Sequence, residues 1–159
     1  MTGPRVGFGY DIHRLAPDRR LVLGGLVLDH PSGLVGHSDG DVLLHAVMDA
    51  VLGAAGLGDL GTQFPSDDPA YASADSQVLL RRVADLVREA GFRVTSIDAT
   101  VVAEAPRLGP HAVAMRGVIA AGLGVDPAVV SVKSKSNDGI GQVGAGEAIA
   151  AMVVALVSS

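Results

Sequence analysis

Gly36 to Gly61 reads GHSDGDVLLHAVMDAVLGAAGLGDLG, and this stretch decides how the rest of the chain is organised. Ser38-Asp39-Gly40-Asp41 matches a capping box, a hydroxyl followed by an acid one turn later, ahead of an apolar run. The Ser38 hydroxyl is placed to accept a backbone N–H of the first turn, worth ~1 kcal/mol. A helix is therefore predicted from Asp41 to Ala55, stopped by Gly56 and Gly58, because glycine enters the left-handed helix-ending conformation at little cost. Asp41, His45 and Asp49 recur at one-turn spacing and form a narrow polar stripe on a helix otherwise largely Val, Leu, Ala and Met. A carboxylate one turn away can orient one ring nitrogen of His45 and leave the other for a metal. His37 stands just before the helix, where free N–H groups and the dipole attract anions.

Upstream, Arg5 to Tyr10 (RVGFGY) reads as a strand, with Asp11-Ile12-His13 just past it. In extended chain, alternate side chains share a face, so the Asp11 carboxylate and the His13 imidazole can converge. Two histidines and one carboxylate suit zinc with a fourth position open. Taken alone, the same residues also read as a turn and a hydrogen-bonded core histidine. Arg20 to Leu28 is a strand interrupted by Gly24-Gly25. Downstream, residues 59–75 are rich in Pro, Asp and Ser and read as a loop, in which Asp67-Asp68 is by itself a solvated turn. Val78 to Ala90 is helical by periodicity and stops at Gly91. Phe92 to Ala103 is a strand, Pro110 to Ala121 a helix ended by Gly122, and Val129 to Ser134 a strand. Residues 136–146 form a glycine-rich loop, and the run from Lys135 through Ser136, Asn137, Asp138 and Gly139 brings ammonium, hydroxyl, amide and carboxylate groups together, or is an ordinary turn. Glu147 to Val157 is a buried strand or a buried helix; periodicity does not separate the two.

The chain has 159 residues, no cysteine, and no linker or internal repeat, which predicts one α/β domain over residues 1–159. Without cysteine there is no disulfide scaffold, thiolate metal site or cysteine nucleophile. A net charge of −5 with only 2 Tyr, 3 Phe and no Trp argues against a nucleic-acid partner. The longest uncharged apolar run, Ala148 to Val157, falls short of the ~20 residues that span a bilayer. No basic segment precedes an apolar one at the N-terminus, so the cytoplasm is the expected location and no membrane partner is expected. Charged residues make up 18% against a usual ~25%, which hints at apolar surface hidden in an oligomer.

The strings GYDIHRL, GHSDGDVLLHAVMDAVLGAAGLGDLG, FPSDDP, EAPRLGPH and KSKSNDGIG, in this order, closely resemble the 2-C-methyl-D-erythritol 2,4-cyclodiphosphate synthase family across essentially the whole chain. The resemblance implies conversion of 4-diphosphocytidyl-2-C-methyl-D-erythritol 2-phosphate into the cyclic diphosphate and CMP, in the non-mevalonate isoprenoid pathway. It implies one Zn²⁺ per active site on Asp11, His13 and His45, and Mg²⁺ or Mn²⁺ with the substrate diphosphate, helped by Asp138. His37 and Ser136 are implied to stabilise the transition state, and Ser38 to contact substrate beside Asp11, Ile12 and His13. Asp59, Leu60 and Gly61 are implied to contact methylerythritol, with Phe64, Pro65, Ser66, Asp67 and Asp68 beside them. Ala103, Glu104, Ala105, Pro106, Arg107, Leu108 and Gly109 are implied to form the cytosine pocket, next to Lys135, Ser136 and Asn137. The implied architecture is an α+β sandwich, a mixed sheet with helices packed on one face, assembled as a homotrimer with active sites between subunits; on that ground the tail is taken as a strand.

The chain departs from the family pattern in places. Ser66 stands where an Asp is usual, Asp138 replaces the commoner Glu, and Ser136 replaces Thr. Gln142 and Ala145 stand where many members carry a Phe and an Arg lining an axial cavity for isoprenoid diphosphates, so loss of that binding is expected. Two other readings use the same residues. A zinc-dependent nucleotide phosphohydrolase would use water as nucleophile, and a non-catalytic CMP-binding oligomer would need a closed four-ligand metal site.

Overall fold

The computed structural model describes residues 3–65, 67–71 and 74–159. Strand β1 (Arg5–Pro17) comes first, followed by β2 (Leu21–Leu23), β3 (Leu26–Leu28) and β4 (Ser32–Leu34). Helices α1 (Val42–Ala55), α2 (Leu60–Gln63) and α3 (Ser76–Glu89) lead to β5 (Arg93–Val102). Then come α4 (Ala112–Leu123), β6 (Val130–Lys135), α5 (Gly141–Gly144) and β7 (Ala148–Ser158). The tail is thus a strand. It lies at the centre of a five-stranded sheet of order β4-β1-β7-β5-β6, in which only β5 and β6 run parallel. The fold is a mixed α/β one.

Alternation along the strands sorts the sheet into two faces. Ile149, Ala151, Val153, Ala155 and Val157 of β7 and Ile97, Ala99 and Val101 of β5 are buried, and α1 packs on β1 and β7, with α3 against α1 and α4. The opposite face leaves Val6, Phe8, Tyr10, Ile12, Met152, Val154 and Leu156 exposed. Gly7 and Gly9 set how close α1 comes to β1. A Cβ at Gly9 would lie 2.0 Å from the Ala46 carbonyl oxygen, and one at Gly7 2.0 Å from that of Ala50. No side chain fits at either position.

Several sequence expectations need correction. Asp11 and His13 lie inside β1 rather than beyond it, because pairing with β7 continues through Arg14. The N-cap of α1 is Asp41, not Ser38: its carboxylate accepts the Leu44 N–H at 3.0 Å and also the Gly24 and Gly25 N–H groups at 2.9 and 2.6 Å. Those two glycines form a β2–β3 hairpin turn with φ of 59° and 74°, so the interruption read between residues 20 and 28 is a reversal of the chain. Gly122 does not end α4. The helix runs to Leu123 and is capped by left-handed Gly124, while Gly122 packs so tightly that a Cβ would meet the Leu80 side chain at 2.5 Å. The presumed loops contain one-turn helices, α2 within 59–75 and α5 within 136–146.

Candidate functional site

Three donor side chains meet where β1 passes under α1. Asp11 Oδ2 lies 2.9 Å from His13 Nε2 and 3.1 Å from His45 Nδ1. The two imidazoles are tilted by 58° with centroids 5.2 Å apart. One donor atom from each of the three residues lies within 4.8 Å of the others. Asp11 and His13 reach this point because alternate residues of β1 face the helix, continuing the row of Gly7 and Gly9. Gly36 leaves room for the His13 ring, since a Cβ there would sit 2.9 Å from Cε1.

Electrostatics bind the trio together. Burial pushes the Asp11 carboxyl up, but hydrogen bonds and charge from His13 and His45 outweigh it and hold the group far below the carboxylate range. Burial pulls His45 down, and the bond and charge of Asp11 reverse that, so the imidazole titrates above its ordinary value. Two nitrogens and one oxygen converging on one point are the donor set of a divalent transition metal, so the residues fit zinc. Among the described residues no fourth His, Asp or Glu joins the group, which argues against a closed four-ligand structural site.

The polar stripe on α1 works differently from its sequence reading. Asp41 is spent on the cap and the hairpin, and burial raises its carboxyl despite the Leu44, Gly25 and Gly24 bonds. Asp49 accepts the Leu60 N–H at 2.7 Å, pinning α2, and burial raises it as well. Neither orients His45. Asp11 holds Nδ1, while Nε2 meets Ser38 Oγ at 2.9 Å and Ser76 Oγ at 3.1 Å. Ser38, displaced from its expected capping role, thus faces His45. His37 is exposed beside it.

Asp59 caps α2, accepting the Thr62 hydroxyl and N–H at 2.6 and 2.7 Å, bonds that lower its carboxyl. Phe64 meets Tyr71 edge to face at 5.3 Å, and Asp68 N–H donates to the Pro65 carbonyl at 3.1 Å. Asp67 and Gly61 are exposed, and Ser66 lies outside the described residues.

A second cluster forms where β5 and β6 end. Ala103, Glu104, Pro106, Arg107, Leu108, Gly109, Lys135 and Ser136 line a cavity of about 470 Å³, which none of Asp11, His13 and His45 enters. Ser136 donates to Asp138 at 3.1 Å, and Glu104 accepts the Asn137 and Gly139 N–H groups at 2.7 and 3.4 Å. Glu104 therefore clamps the loop that carries Ser136 and Asp138, a role no local pattern signals. In register, Ile12, Ala150, Val102 and Lys135 form one row across four strands, so the two clusters leave the same end of the sheet. Within one chain they stand three strand spacings apart, ~14 Å.

Sheet, helices and donor trio together define a mixed α/β protein with a three-residue group that could hold a metal ion and a separate polar cavity. The chain belongs to the YgbB family, whose family model matches residues 4–158. It is 58% identical over 154 residues to the 2-C-methyl-D-erythritol 2,4-cyclodiphosphate synthase of Bordetella petrii, covering 97% of this chain and 95% of that one. Its fold matches the IspF of Plasmodium falciparum, solved as a CDP complex, with a TM-score of 0.86 and 30% identity over 99% of this chain and 97% of that one. It also matches the bifunctional IspDF from Campylobacter jejuni, with a TM-score of 0.93 and 38% identity, covering 97% of this chain and 42% of that longer one. Among the described residues no helix is long and apolar enough to cross a membrane.

Proposed function

We propose that this chain cyclises 4-diphosphocytidyl-2-C-methyl-D-erythritol 2-phosphate to 2-C-methyl-D-erythritol 2,4-cyclodiphosphate with release of CMP, as a phosphorus–oxygen lyase. The observation that carries this reading is the convergence of Asp11, His13 and His45 in a chain 58% identical to a relative named for that synthesis. An oxygen of the substrate's own 2-phosphate bonds to the β-phosphorus, the bond from that phosphorus to the bridging oxygen breaks, and CMP departs with the electron pair. The nucleophile arrives as an anion, so the protein has to place groups and offset charge rather than activate a side chain.

Asp11, His13 and His45 would hold a zinc ion, which when bound would supply Lewis-acid polarisation of a substrate phosphate. His37 and Ser136 stabilise the transition state, and Ser38 donates to substrate. Asp138, bonded to Ser136, helps hold Mg²⁺ or Mn²⁺ on the diphosphate. Asp59, Leu60, Gly61 and residues 64–68 flank the methylerythritol, and the 103–109 cavity takes cytosine. The exposed apolar sheet face, with Phe8 paired to Val154 and Tyr10 to Met152, supports a homotrimer in which the metal cluster of one subunit and the base cavity of another complete a site.

The test is incubation with the cytidyl substrate and Mg²⁺, followed by phosphorus NMR and mass spectrometry. CMP with a cyclic diphosphate is expected. CMP with an open diol phosphate would mark a phosphohydrolase and refute cyclisation.

A further inference from the structure

Ser76, the first residue of α3, is a fully buried polar side chain whose job is not explained by its helix, since Asp75 is the N-cap. Its N–H and its hydroxyl both donate to Asp39, to Oδ2 at 3.0 Å and to Oδ1 at 2.5 Å. The Asp41 N–H also reaches Oδ1, at 3.1 Å, so the carboxylate is held by three donors. With its hydrogen committed to Asp39, Ser76 Oγ has only lone pairs to turn toward His45 Nε2, 3.1 Å away. A bare ring nitrogen would repel it. The contact therefore requires a hydrogen on Nε2, shared with Ser38 Oγ at 2.9 Å. Nδ1 reaches Asp11 Oδ2 at 3.1 Å only by donating as well, so both contacts belong to the imidazolium or to a ring whose Nδ1 holds a metal in place of that proton.

We propose that Ser76 and Asp39 are positioning residues: Ser76, held by Asp39, accepts the Nε2–H of His45 and keeps Nδ1 turned toward Asp11 Oδ2, where a metal takes the place of the Nδ1 proton. This rests on the metal reading of Asp11, His13 and His45 given above. Since Ser38 Oγ accepts from His45, its own hydrogen is free to donate toward substrate. The Asp39 N–H donates to the Ala74 carbonyl at 3.2 Å, so the same aspartate ties the chain leading out of the substrate loop to the metal ligand. Ser76 lies 31 residues from His45, and Asp39, six residues before His45, is off one-turn helical spacing, which is why spacing alone does not reveal them.

The experiment pairs a zinc titration against a chromophoric chelator with nitrogen NMR of the zinc-loaded protein, which reads which ring nitrogen of His45 carries the hydrogen. In the wild type, the hydrogen is expected on Nε2. Ser76→Ala is expected to let it occupy either nitrogen and to weaken zinc binding about 10- to 100-fold, and Ser76→Thr, which keeps the hydroxyl, to recover most of the loss. Finding Nδ1–H in the wild type overturns the proposal, and that measurement stands even if Ser76→Ala does not fold. Zinc affinity in folded Ser76→Ala equal to that of the wild type overturns it too. Failure of the proposed reaction is seen separately: zinc-loaded wild type that forms no cyclic product refutes the activity, while tautomer and affinity still decide the relay.

Discussion

Replacing Gly9 with alanine tests whether the approach of α1 to β1 sets the metal geometry. The added Cβ would lie 2.0 Å from the Ala46 carbonyl oxygen, and ordinary contact begins at 3.4 Å, so relief needs an opening of about 1.4 Å. The obstacle is helix backbone, which has no rotamer to escape into. His45 precedes Ala46 and moves with it, away from Asp11 and His13, which ride on the strand. Zinc–nitrogen bonds of ~2.0–2.1 Å tolerate about 0.2 Å, so this shift is several times what coordination allows. Zinc affinity is expected to fall at least ~100-fold, and overpacking to destabilise the metal-free fold by ~1–3 kcal/mol. Chelator competition reads the first and urea unfolding the second. The matching control is Gly53→Ala on the same helix, where a Cβ meets nothing within 4 Å. It should gain ~0.5–1 kcal/mol and leave zinc binding unchanged. A Gly9→Ala protein that binds zinc like the wild type would refute close approach as the source of the geometry.

Further predictions concern the ligands and the two ends of the substrate. His45→Ala should lose zinc and turnover while keeping its fold by circular dichroism; full zinc occupancy would remove His45 from the ligand set. His45 titrates above the ordinary 6.5, so in the metal-free protein its pairing with Asp11 contributes fully below pH 6.5 and is lost as pH rises through the raised value. Asp11 contributes above its ordinary 3.8 and is lost only as pH falls through its lowered value, so metal-free stability should peak between those two losses. Zinc binding requires His45 without its proton and should weaken as pH falls, beginning above ~6.5; constant affinity from about pH 8 to about pH 5 would contradict this. CMP should bind better than UMP by ~1–3 kcal/mol in calorimetry, since a keto edge leaves a buried partner of the 4-amino group unpaired. With exposed Gln142 and Ala145 in and beside α5, farnesyl diphosphate should show no micromolar binding in calorimetry; binding at that strength would refute the expectation.

What could be read from the sequence follows from how local the physics is. The α1 stop at Gly56 and the amphipathic α3 rest on neighbouring residues and are as expected. β7 was ambiguous because Ala148, Ile149, Ala150 and Ala151 are all buried, and alternation begins only at Met152. The cap of α1 was misassigned because Ser38, Asp39 and Asp41 all offer cap chemistry. The choice of Asp41 is settled by the Gly24-Gly25 turn, far away in sequence. The convergence of Asp11, His13 and His45 was legible because Asp11 and His13 alternate on one strand and His45 interrupts an apolar helix. The serine and aspartate behind His45 were not, because Ser76 stands 31 residues from His45 and the two meet only once α3 packs on α1.

The inward row of β1, Gly7, Gly9, Asp11 and His13, also acts as a proofreading device for strand pairing. A one-residue slip against β7 would exchange the two faces of β1. Phe8 and Tyr10 would then point at helix backbone that leaves no room even for a methyl group, while Asp11 and His13 would turn outward. A misregistered chain could neither seat α1 nor assemble its metal ligands. If the trio takes zinc as proposed, zinc uptake in a refolding mixture would count only molecules whose central strands have found the native alignment.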